Sequence, residues 1–175
     1  MVHAPMPPPP PRTPKPGRRR PQPARPARPA TAKPEPARDD GALTVDNFRD
    51  DSQFPRIQAA VAEILATGKV VAPVDVLVKM ELLAPEDLAA WRAGGIPFLE
   101  SVVRSRLGAL GRFLRILRFH AHDLKLQVAN EPYVRTYDGE SVTLRFTKSG
   151  DPKVEQAYAR HFVWPGKGPF RMPKT

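Results

Sequence analysis

The sequence predicts a mainly α-helical domain with one β-hairpin, preceded by a disordered tail rich in proline and arginine. Three observations support this fold class. Apolar residues recur at helical spacing across residues 96–124. β-Branched and aromatic residues surround an Asp-Gly turn at 138–139. Proline is concentrated in the first 40 residues. Helices followed by a basic hairpin also match the layout of a winged helix.

Residues 1–52 are predicted to be a disordered tail that ends in an acidic linker. Residues 1–40 contain 14 of the 23 prolines, and nine Lys or Arg against three Asp or Glu. With almost no large apolar residues, such a segment cannot bury enough surface to offset the entropy lost on ordering. We expect its arginines to bind polyanions without sequence preference. The candidate polyanion-binding residues among them are Arg18, Arg19, Arg20, Arg25 and Arg28.

The folded domain is predicted to span residues 53–163 and to begin with three helices. Residues 54–67 form the first helix, with Pro55 in its first turn and Gly68 as its stop. Residues 74–83 and 84–92 have the rhythm of a helix-turn-helix motif. Glu86 and Asp87 stand where a DNA-reading helix would carry Arg, Asn or Gln, so a structural helical hairpin is favoured.

A long amphipathic helix is predicted for residues 96–124. Its apolar stripe consists of Leu99, Val103, Leu107, Leu110, Leu114, Leu117, Ala121 and Leu124. The opposite side carries Gly108 and Gly111 and is basic, with no carboxylate between Glu100 and Asp123. The candidate phosphate-binding residues on this side are Arg104, Arg112, Arg115 and Arg118. Arg106 and His120 lie close to the apolar stripe, and both are expected to be structural, Arg106 by pairing with Asp75, Glu100 or Asp151.

A β-hairpin is predicted for residues 133–137 and 141–146, followed by a last helix over 153–163 with Asp151 near its N-cap. Arg135 and Arg145 lie on the hairpin strands and Lys148 lies just beyond them, so these three are further candidates for phosphate contact. Residues 164–175 are predicted to be a basic extension.

Several strings resemble a family of small bacterial proteins. They are APVDVL, WRAGGIPFLE, LRILRFHAHDL and the later RFTKSGDPKVEQAYARHFV. The resemblance covers about residues 54–163 and implies one compact domain. It implies no activity, cofactor or site residue.

The sequence favours a protein that is not an enzyme. It has no cysteine, no phosphate-binding glycine loop and no nucleophile elbow. His120 and His122 are two residues apart on a predicted helix, so their side chains point in different directions and cannot bind one metal ion together. We expect no cofactor and no metal. The tail lacks the apolar segment of a signal peptide or membrane anchor, so a cytoplasmic protein without a membrane partner is expected.

Two hypotheses about function follow from the charge pattern. The net charge of +10 and the basic helix face predict a module that contacts the phosphates of DNA or RNA. The alternative is a protein-interaction module that docks an acidic protein partner. The sequence leaves the choice among DNA, RNA and protein open.

Overall fold

The computed structural model describes Pro8 and residues 42–172. The helices are α1 (Phe54–Thr67), α2 (Pro73–Lys79), α3 (Pro85–Arg92), α4 (Leu107–Asp123) and α5 (Pro152–Ala159). The strands are β1 (Val70–Val71), β2 (Gln127–Asn130), β3 (Val134–Tyr137), β4 (Glu140–Thr143) and β5 (Arg160–Val163). Over the described residues the fold combines five α-helices with two small antiparallel sheets, a mixed arrangement rather than the mainly α-helical domain that the sequence predicts. Residues 1–41 of the predicted tail, apart from Pro8, lie outside the described residues; they include Arg18, Arg19, Arg20, Arg25 and Arg28.

Helix α1 begins and ends where the sequence predicts. Ile57, Val61, Ile64 and Leu65 are buried on one face of the helix, and this face packs against α2 and α4. The amide of Gly68 donates to the carbonyl oxygen of Ile64 at 2.8 Å and closes the last turn.

The acidic stretch before α1 belongs to the folded domain. Leu43 and Phe48 are buried in the core, and the ring of Phe48 lies edge-on to that of Phe54 with 5.3 Å between centroids. The predicted linker therefore contributes apolar anchors, and the packed region starts before residue 53.

Helix α4 is shorter than the predicted helix over 96–124. A single 3-10 turn covers Leu99–Ser101, and the amides of Leu99 and Glu100 donate to the carbonyls of Arg145 and Phe146 at 3.2 and 2.9 Å. Because these amides are bonded to a distant segment, they do not need helical partners. The chain enters α4 through Arg106, which has an extended backbone.

The buried face of α4 is displaced from the predicted stripe. Leu110, Phe113, Ile116 and Leu117 are buried, whereas Leu107 is 67% exposed and Leu114 is only partly buried. The prediction followed the leucines alone, but Phe113 and Ile116 extend the apolar arc away from Leu107 and Leu114.

Strand β5 replaces the second half of the predicted last helix. It lies between β1 and β2 in a three-stranded antiparallel sheet, with Phe162 opposite Val71 on one side and Val128 on the other. Helix α5 ends at Ala159 because the backbone beyond it bonds to two strands. His161 and Phe162 are both buried.

The predicted hairpin is present as β3 and β4, but β4 ends at Thr143, so Arg145, predicted to lie on the second strand, lies beyond it. Asp138 and Gly139 both have positive φ angles, 51° and 79°, as a two-residue hairpin turn requires. Below the hairpin, Tyr133 and Phe146 pack with Trp91 at centroid distances of 5.4 and 5.0 Å. These aromatic rings attach the hairpin to the core.

Candidate nucleic-acid interface

A groove of about 420 Å³ lies between α4 and α5. Helix α5 starts at Pro152, and its N-cap residue Asp151 accepts a hydrogen bond from the amide of Lys153 at 2.8 Å. From this start, Lys153, Gln156 and Arg160 follow at helical spacing, and all three line the groove. The sequence of α5 thus supplies one wall of the groove and α4 supplies the other.

The charged residues that line the groove are all cations. They are Arg115 and Arg118 on α4, Lys153 on α5, and Arg160 at the start of β5. Within residues 42–172 none of the four forms a salt bridge, and no Asp or Glu is among the lining residues. Like charges at this density repel one another unless an anion lies between them.

Arg160 is partly buried, and its Nε atom has no hydrogen-bond partner among the described residues. A buried N–H group without a partner costs about 1–3 kcal/mol, and more when it belongs to a charged group. An anion bound beside this guanidinium would supply the missing acceptor.

The base of the groove is apolar. Leu117 and Phe162 are buried, while Leu114, Val154 and Ala157 are half-buried and line the open part. A Cβ atom added at Gly111 would meet nothing within 4 Å, so the α4 wall is open at this residue. The groove therefore combines a cationic rim with an apolar base.

A larger cleft, about 540 Å³, lies among α1, α2 and α3 and differs in charge. Asp75, Lys79 and Arg92 line it, so both signs are present. Lys79 also forms a salt bridge with Glu63. Its charges are partly compensated within the protein, and it is a weaker candidate for binding a polyanion.

Arg112, predicted to contact nucleic acid, lies outside the groove and has an acidic partner within the protein. Its Nε atom is paired with a carboxylate oxygen of Asp51, whose side chain is only 3% exposed. The second oxygen of Asp51 accepts from the amide of Gln53 at 2.8 Å. Arg112 neutralises a buried carboxylate and does not line the groove.

Four further predicted phosphate-binding residues also lie outside the groove: Arg104, Arg135, Arg145 and Lys148. Arg104 is exposed in the loop before α4 and does not belong to a helix face. The guanidinium of Arg135 lies over the ring of Tyr137 at 4.9 Å, and that of Arg145 donates to the carbonyl of Lys148 at 3.1 Å. Of the predicted set, the structure brings together Arg115 and Arg118.

His120, predicted to lie close to the apolar stripe, is buried, whereas Arg106 is exposed and forms no salt bridge within residues 42–172. Both ring nitrogens of His120 lack a hydrogen-bond partner among the described residues, and the ring lies edge-on to Phe54 at 5.2 Å. Burial lowers the pKa of His120 to about 4; Asp123 has a smaller raising effect on this pKa, and Arg49 has a further lowering effect. His120 is therefore neutral at pH 7 and adds no charge to the basic surface.

A second set of titratable groups joins Tyr133, His161 and Glu131. The Tyr133 hydroxyl lies 3.0 Å from His161 Nε2, and His161 Nδ1 lies 3.2 Å from a Glu131 carboxylate oxygen. Burial, more than any nearby charge, raises the pKa of Tyr133 to about 12. The phenol stays protonated at neutral pH, so this arrangement does not activate it as a nucleophile.

The sequence prediction missed Lys153, Gln156 and Arg160. The spacing that places them along one side of α5 was present in the sequence. What was absent was any indication that this side faces Arg115 and Arg118, because helix pairing is a tertiary property.

No protein-family model, curated protein or solved structure matches the chain. Across the described residues, no three His, Asp or Glu side chains are grouped closely enough to hold a metal ion. In the same part of the chain, no helix has the length and apolar character needed to cross a membrane.

Proposed function

We propose that this chain is a non-catalytic nucleic-acid-binding protein that holds the phosphates of DNA or RNA in the groove between α4 and α5. The observation that carries the proposal is the groove's charge: Arg115, Arg118, Lys153 and Arg160 line it without a carboxylate. The net charge of +10 adds a long-range attraction for polyanions.

Arg115 and Arg118 illustrate why an external anion is favoured. Two like charges three residues apart on a helix destabilise it by about 0.2–0.5 kcal/mol. Among the described residues neither arginine has an acidic partner that offsets this cost. Arginine also binds phosphate through a planar fork of N–H donors, so a phosphate would convert the repulsion into attraction.

The groove is a better candidate for the nucleic-acid-binding surface than the surface that a winged helix would use. In that mode α3 would enter the major groove and the β3–β4 hairpin would touch the backbone. The first turn of α3 carries Glu86 and Asp87, which phosphates repel. Arg135 on the hairpin already stacks on Tyr137. We therefore assign phosphate contact to the groove and no base-reading role to α3.

Salt-dependent binding of the full chain tests the proposal. The variant Arg115→Gln/Arg118→Gln removes two groove charges, and Arg104→Gln/Arg106→Gln removes two exposed charges outside the groove. Each lost phosphate contact lowers the slope of log affinity against log salt by about 0.7 for single strands and about 0.9 for duplex DNA. For the groove variant we expect the magnitude of this slope to fall by roughly 1.4 for single strands and roughly 1.8 for duplex DNA. For the control variant we expect a much smaller decrease.

Two results would contradict the proposal. One is equal slopes for the groove variant and its control, which would place the phosphate contacts elsewhere, the tail included. The other is no binding of the parent chain to duplex DNA, single-stranded DNA or RNA at about 50 mM salt. In the second case an acidic protein partner becomes the hypothesis to test.

A further inference from the structure

The apolar base of the groove distinguishes it from a surface that only attracts phosphates. Leu114, Val154 and Ala157 are half-buried and line the open volume. Phosphates and sugars alone would leave this apolar surface exposed to water. A ligand that covers it must bring a flat, weakly polar group together with its negative charges.

We infer that the groove accepts one unstacked base of a single-stranded nucleic acid, with the flanking phosphates on the arginines of the rim. This inference rests on the proposed function and names its substrate class. The volume of about 420 Å³ is within the range of pockets that enclose one small organic ligand. In a duplex the bases are paired and stacked inside the helix, so only the phosphates could reach the rim.

Gln156 supplies the polar group that a base edge needs. It is exposed and lies on α5 between Lys153 and Arg160, and it is the neutral hydrogen-bonding side chain among the lining residues. An amide offers both a donor and an acceptor, which is how Asn and Gln bind base edges. Gln156 is thus placed to select among bases, while the cations beside it bind any backbone.

The rim favours a nucleic acid over an acidic peptide. Three of the four cations are arginines, the side chain typical of phosphate and nucleic-acid recognition. Arg115 and Arg118 stand on one wall and Lys153 and Arg160 stand at the other, so a base between the walls would have a phosphate beside each pair. Polyglutamate of similar charge serves as the competing occupant in the experiment.

The first experiment compares ligands that share a phosphate count and differ in their bases. The full chain is titrated at about 50 mM salt with an unstructured single strand, a duplex, an abasic strand and polyglutamate. Stacking of one base on an aromatic ring is worth about a 5- to 150-fold gain in affinity, and a base between aliphatic side chains should gain toward the lower end. We expect the single strand to exceed the duplex and the abasic strand by a factor in this range.

The second experiment closes the groove without touching the core. Gly111→Leu adds a side chain on the α4 wall, and Gly108→Leu adds the same side chain outside the groove. A Cβ at either glycine meets nothing within 4 Å, so both variants are expected to fold. Gly111→Leu should remove the advantage of the single strand over the abasic strand, and Gly108→Leu should keep it. Gln156→Ala should reduce differences among homopolymers of different bases.

The outcomes separate this inference from the proposed function. If duplex, abasic and base-bearing strands bind equally, and Arg115→Gln/Arg118→Gln still lowers the salt slope, phosphate binding holds and base insertion is wrong. If polyglutamate binds as tightly as the single strand, and Gly111→Leu weakens the binding of polyglutamate, the occupant is an acidic peptide. If the arginine variant has the parent slope, the proposed function fails as well.

Discussion

The two flanks of α4 carry the same residue types and use them differently. On one flank Arg112 is paired with buried Asp51, next to the buried face that holds Leu110. On the other flank Arg115 lines an open groove, and Leu114 is only partly buried. An arginine or a leucine on this helix therefore acquires its role from what packs against it, and the residue type alone does not reveal that role.

This difference predicts separable phenotypes. Substitutions on the flank near α1 should change the free energy of unfolding and leave groove binding intact. Substitutions on the flank near α5 should change binding and leave the free energy of unfolding nearly unchanged.

The largest effect is expected for leucine. Leu110 is 1% exposed, so Leu110→Ala leaves a cavity and should cost about 2–5 kcal/mol of unfolding free energy. Leu114 already borders solvent, so Leu114→Ala should cost clearly less. Denaturant unfolding of both variants measures the difference. Equal losses would mean that Leu114 is packed as tightly as Leu110.

His120 adds a pH dependence to the buried flank. Its pKa is about 4 in the folded chain because of burial, against about 6.5 in an unfolded chain. Above pH 6.5 His120 is neutral in both the folded and the unfolded chain, so its titration does not reduce the unfolding free energy. Between pH 6.5 and 4 the unfolded chain binds a proton that the folded chain does not, so the unfolding free energy should fall by on the order of 3 kcal/mol.

The variant His120→Leu isolates this contribution, since leucine fills the site without a titratable group. The unfolding free energy of each protein is measured at several pH values between 7 and 4. Because the carboxylates titrate in both proteins, the difference between the two curves reports His120 alone. We expect the parent to lose stability relative to His120→Leu as the pH falls. Parallel curves would show that His120 can be protonated in the folded state.

A smaller difference in unfolding free energy is expected between variants of Arg112 and Arg115. Arg112→Gln leaves the carboxylate of Asp51 buried with one fewer partner, and a buried unsatisfied group costs about 1–3 kcal/mol. Arg115→Gln removes no salt bridge to another described residue and should stay within about 0.5 kcal/mol of the parent. Thermal unfolding ranks the two variants, and nucleic-acid titration should rank them in the opposite order. If the variant that is less stable also binds nucleic acid more weakly, the same flank of α4 contributes to both stability and binding.

The sequence predicted those elements whose cause is local. Helix α1 has Pro55 at its start, Gly68 after its end and apolar residues at helical spacing, so its bounds were found. The hairpin was found because Asp138-Gly139 is itself a turn. In both cases a short window of residues contains the physical reason for the structure.

Elements fixed by distant partners were missed. Strand β5 pairs with Val70–Val71 and with Gln127–Asn130, and a window around Arg160 contains neither. The start of α4 was missed because Leu99 donates to Arg145.

The candidate site follows the same division. The uniform charge around Arg115 and Arg118 was visible in the sequence. The opposing wall of α5, which faces these arginines, was not. The pairing of Arg112 with Asp51, which lies 61 residues away, was also hidden.

The smallest effect is expected for glycine, and it tests the groove flank directly. Gly111→Ala adds a methyl group that meets nothing within 4 Å, and alanine in a helix interior is favoured over glycine by about 0.5–1 kcal/mol. The unfolding free energy should rise by that amount, while Gly108→Ala, in the first turn of α4, should gain less. If Gly111 keeps the groove open for a strand, its alanine variant should also bind single strands more weakly, and Gly108→Ala should bind as the parent does. Denaturant unfolding and strand titration on the same samples measure both quantities. A Gly111→Ala chain that is more stable and binds with unchanged affinity would show that the ligand does not approach α4 at this residue.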